Sequence, residues 1–465
     1  MRATRGGSGE SGPPAGPGVT GQVLHPDDPG YDDARTVWNA RFDSRPDLVV
    51  RPTGPEDVAA SIAFAKEEGL SLTVKGGGHD YAGNSAADGG LLIDLSLLDG
   101  VEIDASARLA RAGGGAILRS VDTASQAHGL AFPGGTVSTV GVGGVTLGGG
   151  EGWLTRKHGL ACDNLVAAEV VTAAGEVVRA SEDENPDLLW ALRGGSGNFG
   201  VVTSFDLALH PLDHEVLAGQ VIYPFERAGE LLRFYRKYVE DAPDEVACFP
   251  FVYRVPPLGV FPATWHGELV LAFVLAFMGP VAEGETRLAP FRELGDPIVD
   301  GLVPQTWVAL QQSFDPMMGK GNRWYTRAHY LETLPDEAID ALVDHIPPLP
   351  GEFTTVYLGA GGGAAGRKPP DATAYPHRDA AHGVHVFPGW VDAGRDQEAM
   401  AWARRVSEAV APYASGGVYV NLLAEDEPDR VPAAYRGNFD RLRRLKRIWD
   451  PDNLLRSNHN IPPRG

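Results

Sequence analysis

The run Lys75-Gly76-Gly77-Gly78-His79-Asp80-Tyr81-Ala82-Gly83-Asn84-Ser85 constrains this chain more than any other segment. A β-rich stretch at residues 71–74 precedes it, and a strand-like one at 91–95 follows. Consecutive glycines let the backbone take positive φ and bring bare N–H groups close to a ligand. Such a loop either makes a plain tight turn or cradles a phosphate. In the second case His79, at its tip, stands beside whatever bears the phosphate.

Two further glycine regions follow. The first, residues 132–153, interleaves glycines with apolar Val140, Val142, Val145 and Leu147. Serines are few, so it is not a flexible linker. It is either a buried turn or a surface against which a flat, polyphosphate-bearing cofactor lies. The second, Gly194-Gly195-Ser196-Gly197-Asn198-Phe199-Gly200-Val201-Val202, contains the string G-x-G-x-x-G at residues 195–200. A dinucleotide fold needs a strand before that string and a helix after it. Here residues 187–192 read as helix and 201–205 as strand. The order is reversed, and a Rossmann fold is rejected.

Residues 48–50 are strand-like. Thr53-Gly54-Pro55-Glu56 has the form of a capping box with an early proline, and Val58, Ile62 and Ala65 make a helical stripe that Gly69 ends. With residues 72–75 as the next strand, this is a β-α-β unit with parallel strands and a right-handed crossover. The His79 loop then leaves the carboxyl end of a strand, where open α/β sheets bind ligands. A further helix spans 117–128 and closes at Gly129. After His210-Pro211 the glycine nests stop and aromatic residues rise, from Tyr223 to Trp265. The expected organisation is a disordered tail at 1–20, a cofactor domain at 21–212, a substrate domain at 213–417, and a segment at 418–465 that returns to the cofactor domain.

At 465 residues the chain is long enough for two or three domains. A net charge of −21 argues against nucleic acid or an anionic membrane surface as partner. The basic run at 441–447 carries Leu442 and Leu445, with Trp449 just beyond it, at helical spacing, so its charges read as a solvated helix face. The longest apolar run, 269–278, is about half a membrane span and reads as a buried strand. No apolar leader is visible, and Cys162 and Cys248 make no disulfide framework, so a cytoplasmic location is expected. His377, His382 and His385 lack a supporting carboxylate or cysteine cluster. They read as a polar loop, and no metal is expected. There is no P-loop and no G-x-S-x-G elbow, so NTPase and hydrolase readings have no support. Nothing in the sequence sets the oligomeric state.

The glycine regions, Tyr419-Val420-Asn421, and the closing Arg441-Leu442, Lys446-Arg447-Ile448-Trp449-Asp450-Pro451-Asp452-Asn453-Leu454 and Asn458-His459-Asn460-Ile461-Pro462 together resemble a known family. It is the berberine-bridge-enzyme-like FAD-linked oxidases of the vanillyl-alcohol-oxidase superfamily. The resemblance runs from about Leu48 to Pro462 and looks closest to bacterial natural-product flavoenzymes such as the favorskiiase-type oxygenase. It implies an α+β fold: a PCMH-type FAD-binding domain of two α/β subdomains, plus a substrate domain with an antiparallel sheet covered by helices. It also implies hydride transfer from a small organic, natural-product-type substrate to covalently bound FAD, with reoxidation by O2. Alternatives are a flavin-dependent oxygenase or cyclase of a polyketide-like intermediate, with an acyl carrier as candidate partner, and a non-catalytic flavin-binding or carrier-docking protein.

By resemblance, His79 attaches the flavin 8α-methyl group, acting as a neutral imidazole nucleophile. Lys75, Gly76, Gly77, Gly78, Asp80, Gly83, Asn84 and Ser85 are expected to hold the cofactor around it. Val137, Ser138, Thr139, Gly141, Gly143, Gly144, Gly148, Gly149 and Trp153 are expected to do the same. So are Gly200, Val201, Tyr419, Asn421, Asn458 and Asn460. Many relatives add a second tether through a cysteine in a Cys-Pro-Thr-Val-Gly-type stretch. Val137 occupies that position here, so one tether is expected and Cys162 reads as a buried structural thiol. Tyr419 is the candidate catalytic base, provided that a neighbour stabilises its phenolate. Tyr357 is the next candidate, and Tyr325 and Trp307 are further candidates to line the cleft.

Overall fold

The structure, a computed structural model, describes residues 16–464. Most of the expected tail, residues 1–15, lies outside them. Residues 16–20 are tied down: the Thr20 N–H donates to Asp57 Oδ1 at 2.8 Å, and Val19 packs on the core of the first sheet.

That sheet has the strand order Gln22–Leu24, Leu48–Arg51, Leu91–Asp94, Leu72–Lys75. The last three are parallel, so the strands of the β-α-β unit run as expected, with Leu91–Asp94 inserted between them. The helix Pro55–Glu68 buries Val58, Ile62 and Ala65, and ends where Gly69 turns left-handed at φ 67°. The capping box does not form. Gly54 is the N-cap and makes no side-chain bond. The Thr53 N–H and hydroxyl both donate to Asp57, each at 2.9 Å, because that carboxylate offers acceptors that also hold Thr20.

The second sheet is antiparallel, in the order Val101–Asp104, Leu109–Gly113, Val201–Ala208, Leu165–Val171, Val177–Ala180. The decoy string lies between the helix Pro186–Leu192 and the strand Val201–Ala208, the reverse of a dinucleotide fold. The helix Val142–Gly148 forms inside the second glycine region and is almost wholly buried.

The largest sheet, eight-stranded and antiparallel, draws its strands from residues 216–387, within the segment expected to form the substrate domain. Its strand Leu269–Phe277 is buried on both faces. Leu271, Phe273, Leu275 and Phe277 share a core with the helices Ala228–Glu240, Asp336–His345 and Asp396–Val410, while Val274 and Ala276 meet Trp153 and Leu154. Burial on both faces explains why the run shows no polar alternation. His382 and His385 correct the polar-loop expectation. They lie on the strand His382–Phe387, paired on both sides and buried, and burial keeps both neutral. Among the described residues no group of His, Cys, Asp and Glu could hold a metal ion.

After Val418 the chain shares one core with the second sheet: Val420, Leu423, Leu442 and Ile461 pack with Ala110 and Phe205. In the helix Phe439–Trp449, Arg444 and Arg447 are exposed, but Lys446 departs from the expected solvated face. It is fully buried, 2.7 Å from Asp450, and donates to the carbonyls of Asn198 and Leu455 at 2.8 Å each. This internal pair pins the closing segment onto the third glycine region. No helix among the described residues is long and apolar enough to cross a membrane.

Candidate functional site

The His79 loop and the second glycine region meet at Gly77 and Gly141. A Cβ on Gly77 would stand 2.5 Å from Gly141 Cα, and one on Gly141 would stand 2.5 Å from the Gly77 nitrogen. Beside this contact opens a cavity of ≈ 1720 Å³, its mouth included. Gly76, Gly77, Gly78, His79 and Asp80 line it, with Asn84 and Ser85 further along the same loop. Val137, Gly141, Gly143 and Gly144 face it from the second region, and Gly200 and Val201 from the third. The closing segment contributes Tyr419, Asn421 and Asn458, and the large sheet contributes Tyr357.

Other expected residues stand behind this wall. Lys75 is buried, donates to the Ala34 carbonyl and lies 3.5 Å from Asp94. Gly83, at φ 77°, lets the loop pass the Phe42 ring. Ser138 donates its N–H and hydroxyl to Asp315, at 3.1 and 2.6 Å. Gly148 leaves room for the Asn421 amide, and Gly149 lies against Tyr375 and Tyr419. Trp153 stacks on Phe314 and borders a second, smaller cavity of ≈ 650 Å³. Asn460 keeps its Oδ1 without a protein partner. Tyr325 and Trp307 are fixed elsewhere, by Asp426 and Asp122.

His79 is held on two sides. Its ring stacks on Trp38, with centroids 4.1 Å apart and an interplanar angle of 19°, and Nε2 is 3.2 Å from the Thr139 hydroxyl. Burial pulls its pKa down to about 4, so the imidazole is neutral and nucleophilic at physiological pH.

The Tyr419 phenol oxygen accepts two hydrogen bonds, from the Gly150 N–H at 2.8 Å and from Asn421 Nδ2 at 2.9 Å. Burial, with the nearby Glu151 charge, raises its pKa, and the two donors pull the other way. Burial outweighs the two donors, so the net shift is upward and the phenol is protonated at neutral pH; the donors alone do not supply the phenolate that a base needs.

Glu151 is the group that the sequence reading missed. It lines both cavities. Its Oε1 accepts from the hydroxyls of Tyr330 and Tyr375, the latter at 3.0 Å, and those hydroxyls lie 2.7 Å from each other. Burial raises its pKa. A lone acidic residue amid glycines, Gly148-Gly149-Gly150-Glu151-Gly152, was the one signal available.

The wall suits a flavin dinucleotide. Gly144 and Gly197 both line it, and nothing lies within 4 Å of where their Cβ atoms would stand, so side chains are absent where a flat ligand must pass. Asn458 Oδ1 has no protein partner. Among the described residues no Lys or Arg lines the cavity, so a diphosphate would rest on backbone N–H groups.

Residues 46–181 match the profile of an FAD binding domain, and 418–462 that of berberine and berberine-like proteins. The chain is 33% identical to the (R)-6-hydroxynicotine oxidase of Paenarthrobacter nicotinovorans, an alignment spanning 96% of this chain and 98% of that one. A crystal structure of 6-hydroxy-D-nicotine oxidase from Arthrobacter nicotinovorans superposes with a TM-score of 0.85 at 29% identity, over 96% and 98% of the two chains. The glucooligosaccharide oxidase of Acremonium strictum, described with a 6-S-cysteinyl, 8α-N1-histidyl FAD, superposes with a TM-score of 0.84 at 25% identity, over 96% and 98%. The chain therefore belongs to the berberine-bridge-enzyme-like FAD-linked oxidases, and is an FAD-dependent oxidoreductase with a PCMH-type FAD-binding fold.

Proposed function

We propose that this oxidoreductase carries FAD on His79 through a single covalent bond, oxidises a small organic, natural-product-type substrate, and uses O2 as acceptor. The observation that carries the reading is the state of His79: a neutral imidazole, oriented by Trp38 and Thr139, on the wall of the glycine-lined cavity. Bound there, FAD supplies the hydride acceptor that dioxygen then regenerates. Val137 lines the same cavity where doubly tethered relatives have cysteine, and an isopropyl group offers no nucleophile.

The chain's own residues handle position and protons. The glycine loops would hold the diphosphate through backbone N–H groups, as charge at such nests requires. Tyr357 and Phe387, parallel to within 2° with centroids 5.5 Å apart, would orient a flat substrate. Tyr419 would take the proton of the substrate O–H or N–H only as the phenolate, which its two donors favour and its burial opposes. Loss of that proton and of a hydride from the adjacent carbon leaves a carbonyl or imine, and dioxygen leaves as hydrogen peroxide.

Acid precipitation tests the attachment. The wild-type pellet should stay yellow and its mass should exceed the chain by one FAD, while His79→Ala should release the colour. A colourless wild-type pellet refutes the tether, and reduced enzyme that stays reduced in air refutes the acceptor.

A further inference from the structure

We propose that the substrate of this site is a protonated amine, held by Glu151 beside a wall of aromatic rings. The proposal rests on the oxidase reading above and names its substrate class.

Glu151 has a free oxygen. Both tyrosine hydroxyls donate to Oε1, and no described residue donates to Oε2. Nor does any described cation pair with it. His377, which packs on Tyr330 and Tyr375, is held neutral by burial, as are His382 and His385 beyond it. His79 and His459, on the wall itself, are shifted the same way. Arg378 borders the smaller cavity but is spent on Asp163, with both bonds at 2.8 Å. Arg156 donates to the carbonyls of Gly361 and Ala242, at 2.5 and 2.9 Å. The other carboxylate on the wall, Asp80, is engaged within its own loop by the Ala82 N–H and Asn84.

A carboxylate removed from water with two phenols and no cation is costly, and a cation brought by the ligand would offset that cost. The neighbouring wall favours the same charge. Tyr81, Phe387 and Tyr357 form a continuous ring surface, with successive centroids 5.1 and 5.5 Å apart, and π faces attract ammonium groups. An anionic substrate would find no Lys or Arg on this wall.

The test uses holoenzyme and three ligands that carry no hydrogen on the carbon that would be oxidised: α,α-dimethylbenzylamine, its neutral isostere 2-phenyl-2-propanol, and benzoate. Binding is read from the flavin difference spectrum at neutral pH. The amine should bind tightest. Glu151→Gln keeps an acceptor for the tyrosines but removes the charge. It should weaken the amine by roughly 10–100-fold, the worth of a hydrogen bond to a charged group, and leave the alcohol unchanged. Equal affinities, tighter benzoate, no amine binding, or a preference undiminished in Glu151→Gln overturns the proposal. The wild-type ranking decides even if the variant does not fold. Failure of the parent reading shows differently: protein without flavin, or dithionite-reduced flavin that air does not reoxidise.

Discussion

Gly77 and Gly141 touch backbone to backbone, and this contact joins two of the loops that wall the larger cavity. Gly141 has φ −68°, a conformation open to any residue, so Gly141→Ala would test the contact alone. The added methyl must push the loops apart, at a cost of about 1–3 kcal/mol by the usual scale of overpacking. We expect a lower melting temperature and less flavin per chain, measured by thermal denaturation and the absorbance ratio. Wild-type values for both would mean that the loops separate freely.

The proposed single tether makes Cys162 a control. It is fully buried, its N–H donates to the Gly149 carbonyl at 2.8 Å, and burial pushes its thiol up to about 12. A thiol this far from ionising is a poor nucleophile. Cys162→Ser should therefore keep flavin content and spectrum, losing about 1–3 kcal/mol of stability for a buried hydroxyl. Peptide mapping should find flavin on the His79 peptide alone. A flavin-bearing Cys162 peptide would restore the second tether.

These features differ in how far the sequence revealed them. The three glycine regions and His79 are local signals, because glycine runs speak through backbone freedom without reference to distant partners. Glu151 with Tyr330 and Tyr375 could not be read that way, since three separate segments bring them together and a carboxylate carries no motif of its own. Lys446 has the spacing of a surface residue, yet Asp450 and two distant carbonyls draw it inside. At Thr53 the local capping pattern lost to Asp57, which also holds Thr20 from another part of the chain. His382 and His385 look polar in sequence, but a neutral imidazole is tolerated in a buried strand.

Tyr419→Phe separates chemistry from packing. The ring stays and only the hydroxyl goes, so the contacts of Tyr419 with Gly149 and Tyr375 should survive. If the phenol takes the substrate proton, anaerobic flavin reduction at saturating substrate should slow by ~10²–10⁴-fold, the usual worth of a general base. Flavin content and reoxidation of dithionite-reduced enzyme should barely change. Near-equal stopped-flow rates would move the role to Tyr357, the next residue on the wall.

Asp122 couples stability to pH. It is buried between the helices Leu118–Gln126 and Trp307–Gln311, where it accepts from Trp307 Nε1 at 2.9 Å and Gln311 Nε2 at 3.0 Å. Burial raises its pKa from 3.8 to about 7 despite those two donors. The folded chain therefore holds a proton that the unfolded chain has lost, so the stabilising contribution is complete below pH 3.8 and is lost as pH rises through about 7. Asp122→Asn abolishes that titration. Gln311 Oε1 has no partner, and turning the Gln311 amide over would let it accept from the new side-chain amide. By the linkage sign, melting temperatures of variant and wild type should be closest below pH 3.8 and should diverge as pH rises from about 5 to about 8, where the variant should melt higher by a few degrees. A constant difference between the two curves across that range would show that Asp122 does not titrate there.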